Sequence, residues 1–386
     1  MNKQTFSEPL PPHDQQIRIL GILGKADANA SSGMYEILMD AMSKADVGVN
    51  AGYAVVYECV KTIANIYPNP KLLDAAGDAI SRFIRSRSHN LKYLGVTGLA
   101  MIVEGHPQYA AQHQMAVMDC LEDPDETLQR KTLDLLYRMT NPVNVEFITE
   151  RLLDFLRGTT DLFLKNVLTT RICSVAERYA PNNSWYIRTI TQLFEVSGDM
   201  VKQEVAQNLM TLIAEGTGDS EEADMLLRQN AVELYVGLLR DKPGTATKLP
   251  KILMETIAWC LGEYGYLSAV CTLDDVLKEL CSLARTKARL APTTRKFLIG
   301  AIMKLVAQAG TCPPHAAAVI DDYTRSRDFD LQQRCLEFQT LLTTAPQFLG
   351  EVRTIDIHYN SNPQHSDIAL IEESSRCGNS RDQQIL

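Results

Sequence analysis

The stretch Thr127-Leu128-Gln129-Arg130-Lys131-Thr132-Leu133-Asp134-Leu135-Leu136-Tyr137-Arg138-Met139 decides how this chain folds. Leu128, Leu133, Leu136 and Met139 recur at spacings that line one side of an α-helix, while Gln129, Arg130, Lys131 and Asp134 turn outward. The same apolar pattern opens at Leu91, Leu128, Leu164 and Val201, at steps of 37, 36 and 37 residues. A period of that length is one helix-turn-helix unit, which cannot bury its apolar face alone and becomes stable by stacking on its neighbours. The fold class is therefore all-α, an α-solenoid of HEAT/armadillo-like helical repeats with a long outer surface open to contact.

Working outward from that stretch, the periodicity predicts helices over 14–24, 33–45, 50–66, 71–87, 90–104, 107–121, 124–140, 143–157, 161–179, 184–197, 199–214, 221–240, 249–266, 273–290, 293–309, 314–326 and 329–343. No strand pattern competes with them. Residues 1–13, with Pro9-Leu10-Pro11-Pro12, read as an extended lead-in, 14–343 as the solenoid, and 344–386 as a disordered tail too polar to repay ordering entropy. Asp123-Pro124-Asp125-Glu126 reads as a carboxylate cap at Asp123 followed by a proline in the first helical position, and Thr272 to Asp275 repeats the idea. Two interruptions, Asp219 to Asp224 and Asp241 to Lys248 with Pro243 and Gly244, predict a bend or insertion.

Composition narrows the classes of function. A repeat array escapes the usual conversion of 386 residues into two or three domains, because each unit packs only on its neighbours. The 47 acidic against 38 basic side chains give a formal charge of -9, a field that repels phosphates and disfavours nucleic acid as a partner. Cys59, Cys120, Cys173, Cys260, Cys271, Cys281, Cys312, Cys335 and Cys377 are scattered without a C-x-x-C pair, as expected of reduced thiols packing as small hydrophobes in a cytosolic protein. No secretory leader is recognisable, so the glycosylation-like triplets at Asn29 and Asn182 carry no weight. The apolar run Leu253 to Leu273 is broken by Glu255 and Glu263, and Phe297 to Val306 is too short to cross a bilayer.

A search for chemistry finds no catalytic, cofactor-binding or metal-binding set, and no small-molecule substrate is expected. Gly21-Ile22-Leu23-Gly24-Lys25 has too few glycines for a phosphate loop and reads as a helix end. His106 and His113 stand seven apart without neighbouring ligands, and no G-x-S-x-G elbow is present. Glu221-Glu222 and Asp274-Asp275 fall where helices begin, which the helix macrodipole explains more simply than acid–base catalysis. One basic cluster, Arg82, Arg85, Arg87, His89 and Lys92, spans a helix end and the next helix start; Arg82, Arg85 and Lys92 are candidate phosphoinositide contacts, against a solvated cationic face as the alternative.

Ala258-Trp259-Cys260-Leu261-Gly262-Glu263-Tyr264-Gly265 resembles the Trp-Cys-x-Gly-Glu-Tyr signature of the adaptin large subunits of clathrin-type adaptor complexes. Asn50 to Glu58, Leu91-Lys92-Tyr93-Leu94-Gly95 and Ala176-Glu177-Arg178-Tyr179-Ala180-Pro181 followed by Trp185 occur in the same order as in that family. Gln112 to Met115 and Arg130 to Asn141 are most similar to the epsilon-type adaptins of the fourth adaptor complex, with gamma-type adaptins next. The resemblance spans roughly residues 9 to 343. It implies the later part of an adaptin trunk, without the earlier half, hinge and appendage.

From that resemblance follow a non-enzymatic coat scaffold in vesicle-mediated protein transport and sibling beta, medium and small subunits as partners. It also implies a cytoplasmic, peripheral location on trans-Golgi network and vesicle membranes. In that family much of the contact with the small subunit, dileucine signals and an Arf-type GTPase involves the earlier trunk, so none of those residues is carried over. A generic HEAT or armadillo regulatory scaffold fits the period but not the motifs. Trp259, Gly262, Glu263, Tyr264, Tyr179, Pro181 and Trp185 are expected to act structurally, Gly262 by allowing close helix approach and Glu263 and Tyr264 by bonding between units. As a core residue, Trp259 changed to Ala is expected to cost roughly 3 to 5 kcal/mol. One departure from the family is Ile17-Arg18-Ile19-Leu20 running at once into Gly21, which predicts a short, frayed first helix.

Overall fold

The computed structural model describes residues 13–45, 50–218, 220–241, 249–286 and 290–344. Most of the expected lead-in, the tail beyond Thr344, and most of the Asp241 to Lys248 interruption lie outside the described residues. Among the described residues there are seventeen α-helices and no strand. In chain order they are α1 His13–Ala26, α2 Ala28–Ala45, α3 Asn50–Asn65, α4 Pro70–Ile84, α5 His89–Gly105 and α6 Ala110–Asp119. There follow α7 Glu126–Met139, α8 Val145–Gly158, α9 Leu162–Tyr179, α10 Asn183–Ser197, α11 Gln203–Glu215 and α12 Glu221–Asp241. The series closes with α13 Lys251–Tyr264, α14 Leu273–Arg285, α15 Pro292–Ala309, α16 Pro314–Tyr323 and α17 Phe329–Thr344.

Alternate helices stack. The odd-numbered ones form one layer, α1 on α3, α5, α7 and α9, then α11 on α13 and α15; the even-numbered ones form the other, α2 on α4 and α6, α8 on α10 and α12, α14 on α16. Chain neighbours such as α4 and α5 or α8 and α9 close each unit as a hairpin. The buried apolar side chains make one contiguous cluster running from Ile17 to Phe338, as expected when every unit covers the open face of the last. The 37-residue step is the distance from one odd helix to the next, and it is written into polar contacts: Arg171 Nη2 donates to Asp134 Oδ1 at 2.8 Å and Tyr137 Oη meets Ser174 Oγ at 3.1 Å, each pair 37 residues apart.

Helix starts follow local chemistry. Asn69 accepts from the Leu72 N–H at 2.8 Å with Pro70 in the first turn, and Asn182 accepts from the Trp185 N–H at 2.8 Å. Thr272 and Asp275 form a reciprocal capping box. At α7 the expected cap is displaced: Asp125 accepts from the Leu128 N–H at 2.9 Å, while Asp123 is buried and spends its oxygens elsewhere.

The first unit corrects two expectations. Gly21 and Gly24 do not end a helix; α1 runs through both to Ala26. A Cβ on Gly21 would sit 3.0 Å from Thr62 Oγ1, and one on Gly24 would sit 2.6 Å from Ile66 Cγ2, so the pair lets α1 lie tight against α3. The gap expected before α2 shrinks to Asp27, whose carboxylate takes the N–H groups of Asn29 and Ala30 at 3.1 and 3.3 Å.

Candidate functional site

The signature residues of α13 converge on one junction of four helices. Gly262 lies against α15 so closely that a Cβ there would be 2.8 Å from Ala301 Cα and 2.9 Å from Ala301 Cβ. One turn later on α15, Lys304, buried, pairs with Glu263, and Gln308 Nε2 donates to the carbonyls of Gly262 and Glu263 at 3.1 Å each. Tyr264 lies edge-on to Trp259 with ring centroids 6.0 Å apart, and the Arg228 guanidinium of α12 sits 5.3 Å from the Tyr264 ring. Arg228 also donates to the last carbonyls of α11, Ile213 O at 3.2 Å and Ala214 O at 2.7 Å. Trp259 is half-buried at the edge of the core, so its truncation removes less buried area than the full-core expectation assumed.

Tyr179, Pro181 and Trp185 occupy a different place, the turn between α9 and α10. Arg178 covers the Tyr179 ring at 5.1 Å, Pro181 is exposed, and Trp185, half-buried, gives its backbone N–H to the Asn182 cap. Sequence reasoning missed Glu255, noted only as a break in an apolar run. It is buried on α13 and accepts from Thr293 Oγ1 at 2.7 Å and Thr294 Oγ1 at 3.1 Å on α15. The signal was available: a lone carboxylate in an apolar helix, with a Thr-Thr pair one repeat downstream.

The basic cluster divides. Lys92 Nζ and His89 Nδ1 reach Asp123 at 2.7 and 2.6 Å, and the Asp125 N–H joins them at 3.1 Å. Burial pushes the Asp123 carboxyl up, but the bonds from Lys92, the Asp125 N–H and His89 outweigh it and hold the group below the usual carboxylate range. The hydrogen bond to Asp123 in turn raises Lys92. These two side chains tie α5 to the start of α7, while Arg82, Arg85 and Arg87 stand exposed at the end of α4.

The thiols are suited to packing. Burial raises Cys59, Cys173 and Cys281 to about 12 and Cys120 to about 11, leaving little thiolate to attack anything. His113 is buried against Gly77 with Nε2 unpartnered; burial, reinforced by the nearby Arg85 charge, lowers its pKa. Among the described residues, no group of His, Cys, Asp and Glu is placed to hold a metal ion, and no helix is long and apolar enough to cross a membrane.

Stacked helical pairs knitted by polar ties between successive units define an α-solenoid scaffold. The family described as the adaptin N terminal region matches residues 15–346, and the chain belongs to that family. It is 40% identical over 362 residues to the AP-4 complex subunit epsilon of Arabidopsis thaliana, covering 92% of this chain and 38% of the relative. It is 36% identical to the AP-4 complex subunit epsilon-1 of Homo sapiens, covering 85% and 28%, and 29% identical to the AP-1 complex subunit gamma of Dictyostelium discoideum, covering 87% and 39%. The chain thus spans well under half the length of these relatives. A homology model of the full-length AP-3 complex in an intermediate open conformation shares the fold, with a TM-score of 0.55 at 16% identity, over 88% of this chain and 63% of that one.

Proposed function

We propose that this chain acts as a non-enzymatic scaffold within an epsilon-type adaptor complex serving vesicle-mediated protein transport. In this reading it holds beta, medium and small subunits in register on the cytoplasmic face of trans-Golgi network membranes. The observation that carries the reading is the 40% identity to an AP-4 epsilon subunit along 92% of the chain. The continuous two-layer stack suits the role, because a surface distributed along an array lets several weak contacts combine through effective concentration. Raised thiol pKa values and inward-facing polar pairs support a scaffold over a catalyst.

Under this reading Trp259, Gly262, Glu263 and Tyr264 hold α13 to its neighbours, and Tyr179, Pro181 and Trp185 shape the α9–α10 turn. Lys92 serves Asp123, so a phosphoinositide contact falls to Arg82 and Arg85, tested by changing both to Ala in a liposome-binding assay; unchanged binding removes the patch from the function.

The test is co-expression of the full chain with beta, medium and small subunits of the fourth and the first adaptor complexes, followed by affinity recovery. Retention of fourth-complex subunits is expected. Preferential retention of first-complex subunits would assign the gamma-type role instead, and recovery of no adaptor subunit would overturn the proposal.

A further inference from the structure

Arg85-Ser86-Arg87-Ser88 is the turn that joins α4 to α5, a hairpin with α2 and α3 stacked on one side and α6 and α7 on the other. Its exposure is that of an edge turn between packed units, not of a terminal face. Ser88 is exposed, holds extended dihedrals of φ −84° and ψ 121°, and is the N-cap of α5 without a side-chain cap bond. The neighbouring hydroxyl is engaged: Ser86 is half-buried, and its Oγ accepts from the Ser88 N–H at 3.2 Å. Ser88 is also the only serine or threonine of the sequence with an arginine both one and three residues before it, Arg87 and Arg85. Both are exposed, as is Arg82 one turn earlier on α4.

We propose that Ser88 is a phosphoacceptor for a protein kinase that reads basic residues ahead of its target, and that the phosphate switches off the cationic patch of Arg82 and Arg85. A kinase groove lined by carboxylates pairs with arginines in this register through charge-assisted, bidentate hydrogen bonds. In the transfer Ser88 Oγ bonds to the γ-phosphorus of ATP, the hydroxyl proton passes to the kinase's base, and the bond to the β–γ bridging oxygen breaks to release ADP. The product suits the fold, because at the start of α5 the added charge lies at the favourable end of the helix macrodipole. A phosphate brings about −1.5 to −2 charges beside Arg82, Arg85 and Arg87, half or more of what those cations carry. The switch rests on the proposed membrane contact of Arg82 and Arg85; the phosphoacceptor does not.

The test incubates the full chain with magnesium, ATP and the catalytic subunit of cyclic-AMP-dependent protein kinase, and maps the phosphate by mass spectrometry. Incorporation at Ser88 is expected, abolished by Ser88→Ala and slowed about tenfold by Arg85→Ala. No phosphate on Ser88, phosphate on Ser86 in its place, or a rate indifferent to Arg85→Ala overturns the proposal. Phosphorylated and unmodified chains are then compared on phosphatidylcholine vesicles carrying phosphatidylinositol phosphate. Phosphorylation should weaken binding at least about tenfold, and the kinase-treated Ser88→Ala chain should bind as the unmodified chain does. Equal binding before and after phosphorylation, in a chain whose binding Arg82→Ala with Arg85→Ala abolishes, overturns the switch. Failure of the unmodified chain to bind at all refutes the membrane contact and the switch with it, whereas the phosphoacceptor is decided by incorporation alone.

Discussion

Gly262→Ala tests whether the α13–α15 junction is as close as its geometry requires. The added Cβ would stand 2.8 Å from Ala301 Cα, and a backbone atom cannot rotate away as the end of a long side chain can. The helices must therefore separate by several tenths of an ångström, an overpacking that typically costs about 1–3 kcal/mol. Separation also stretches the two Gln308 bonds to the Gly262 and Glu263 carbonyls, each contributing about 0.5–1.5 kcal/mol. Against this, Ala is favoured over Gly inside a helix by about 1 kcal/mol. The net expectation is a loss of roughly 1–3 kcal/mol. Gly237→Ala on α12 is the control, since nothing lies within 4 Å of its Cβ position and only the helical gain of up to about 1 kcal/mol applies. Because a solenoid can unfold in parts, amide exchange of α13 and α15 should be read alongside urea unfolding. Equal stability of the two variants, or a Gly262→Ala chain more stable than the parent, would refute the close-packing argument.

Trp259→Ala should cost about 2 kcal/mol, below the range for a fully buried Trp because the ring is half-buried, and should lower the urea midpoint; no change would remove Trp259 from the junction's packing. Asp123 has a depressed pKa, so its contribution is present above the unfolded value near ~3.9 and fades as pH falls through the folded one. Amide protection factors at the α5–α7 seam should fall below about pH 4 in the parent, and Asp123→Asn should remove that acid step while costing about 2 kcal/mol at neutral pH, as for lost hydrogen bonds to a charged group. His113 has a lowered pKa, so stability from its neutral form declines as pH falls below the unfolded value near ~6.5 toward the folded one. An NMR titration of the ring should give a midpoint below that of a free histidine; a higher midpoint would contradict the burial argument. Arg228→Ala should loosen the ends of α11 and α13 together by about 1–2 kcal/mol, with Arg228→Lys a poor substitute because one ammonium cannot both cover Tyr264 and span two carbonyls.

What the amino acids disclosed, and what they withheld, follows the range of the forces involved. Leu128, Leu133, Leu136 and Met139 predict a buried stripe from spacing alone, and all four are buried. The Thr272–Asp275 box acts within a few residues of itself, so the helix start it marks was legible, whereas the equally local Asn182 cap was passed over as a glycosylation-like triplet. Gly21 and Gly24 were misread because a glycine pair looks alike whether it ends a helix or admits a neighbour, and Thr62 and Ile66, which settle the matter, lie about forty residues away. Asp123 and Asp125 were interchanged for the same reason: both are capping residues by type, and it is the distant His89 and Lys92 that draw Asp123 inward. The site was legible as residues and not as geometry. The Trp-Cys-Leu-Gly-Glu-Tyr run announced Gly262 and Glu263, while their partners Ala301, Lys304 and Gln308 carry no local mark.

These long-range ties bear on how such an array transmits load. Apolar burial holds the units together but is non-directional, so a stack joined by it alone could slide or twist at little cost. Hydrogen bonds and ion pairs of fixed geometry resist that motion, and they recur from seam to seam: Lys92–Asp123 between α5 and the approach to α7, Arg171–Asp134 between α7 and α9, Arg228 across α11, α12 and α13, and Glu255 and Glu263 against α15. Where such ties are buried, as at Glu255 and Lys304, breaking one strands a charge away from water and the penalty for shear rises steeply. Where they are exposed, as at Arg138–Glu104, they yield little and are weakened by salt. The α13–α15 seam, with its close backbone approach and buried pairs, is therefore the stiffest point of the described array. Bending under load is expected to concentrate at the α7–α9 seam, where the Arg171–Asp134 pair is part-exposed to solvent, whereas the α5–α7 seam also holds the buried Asp123.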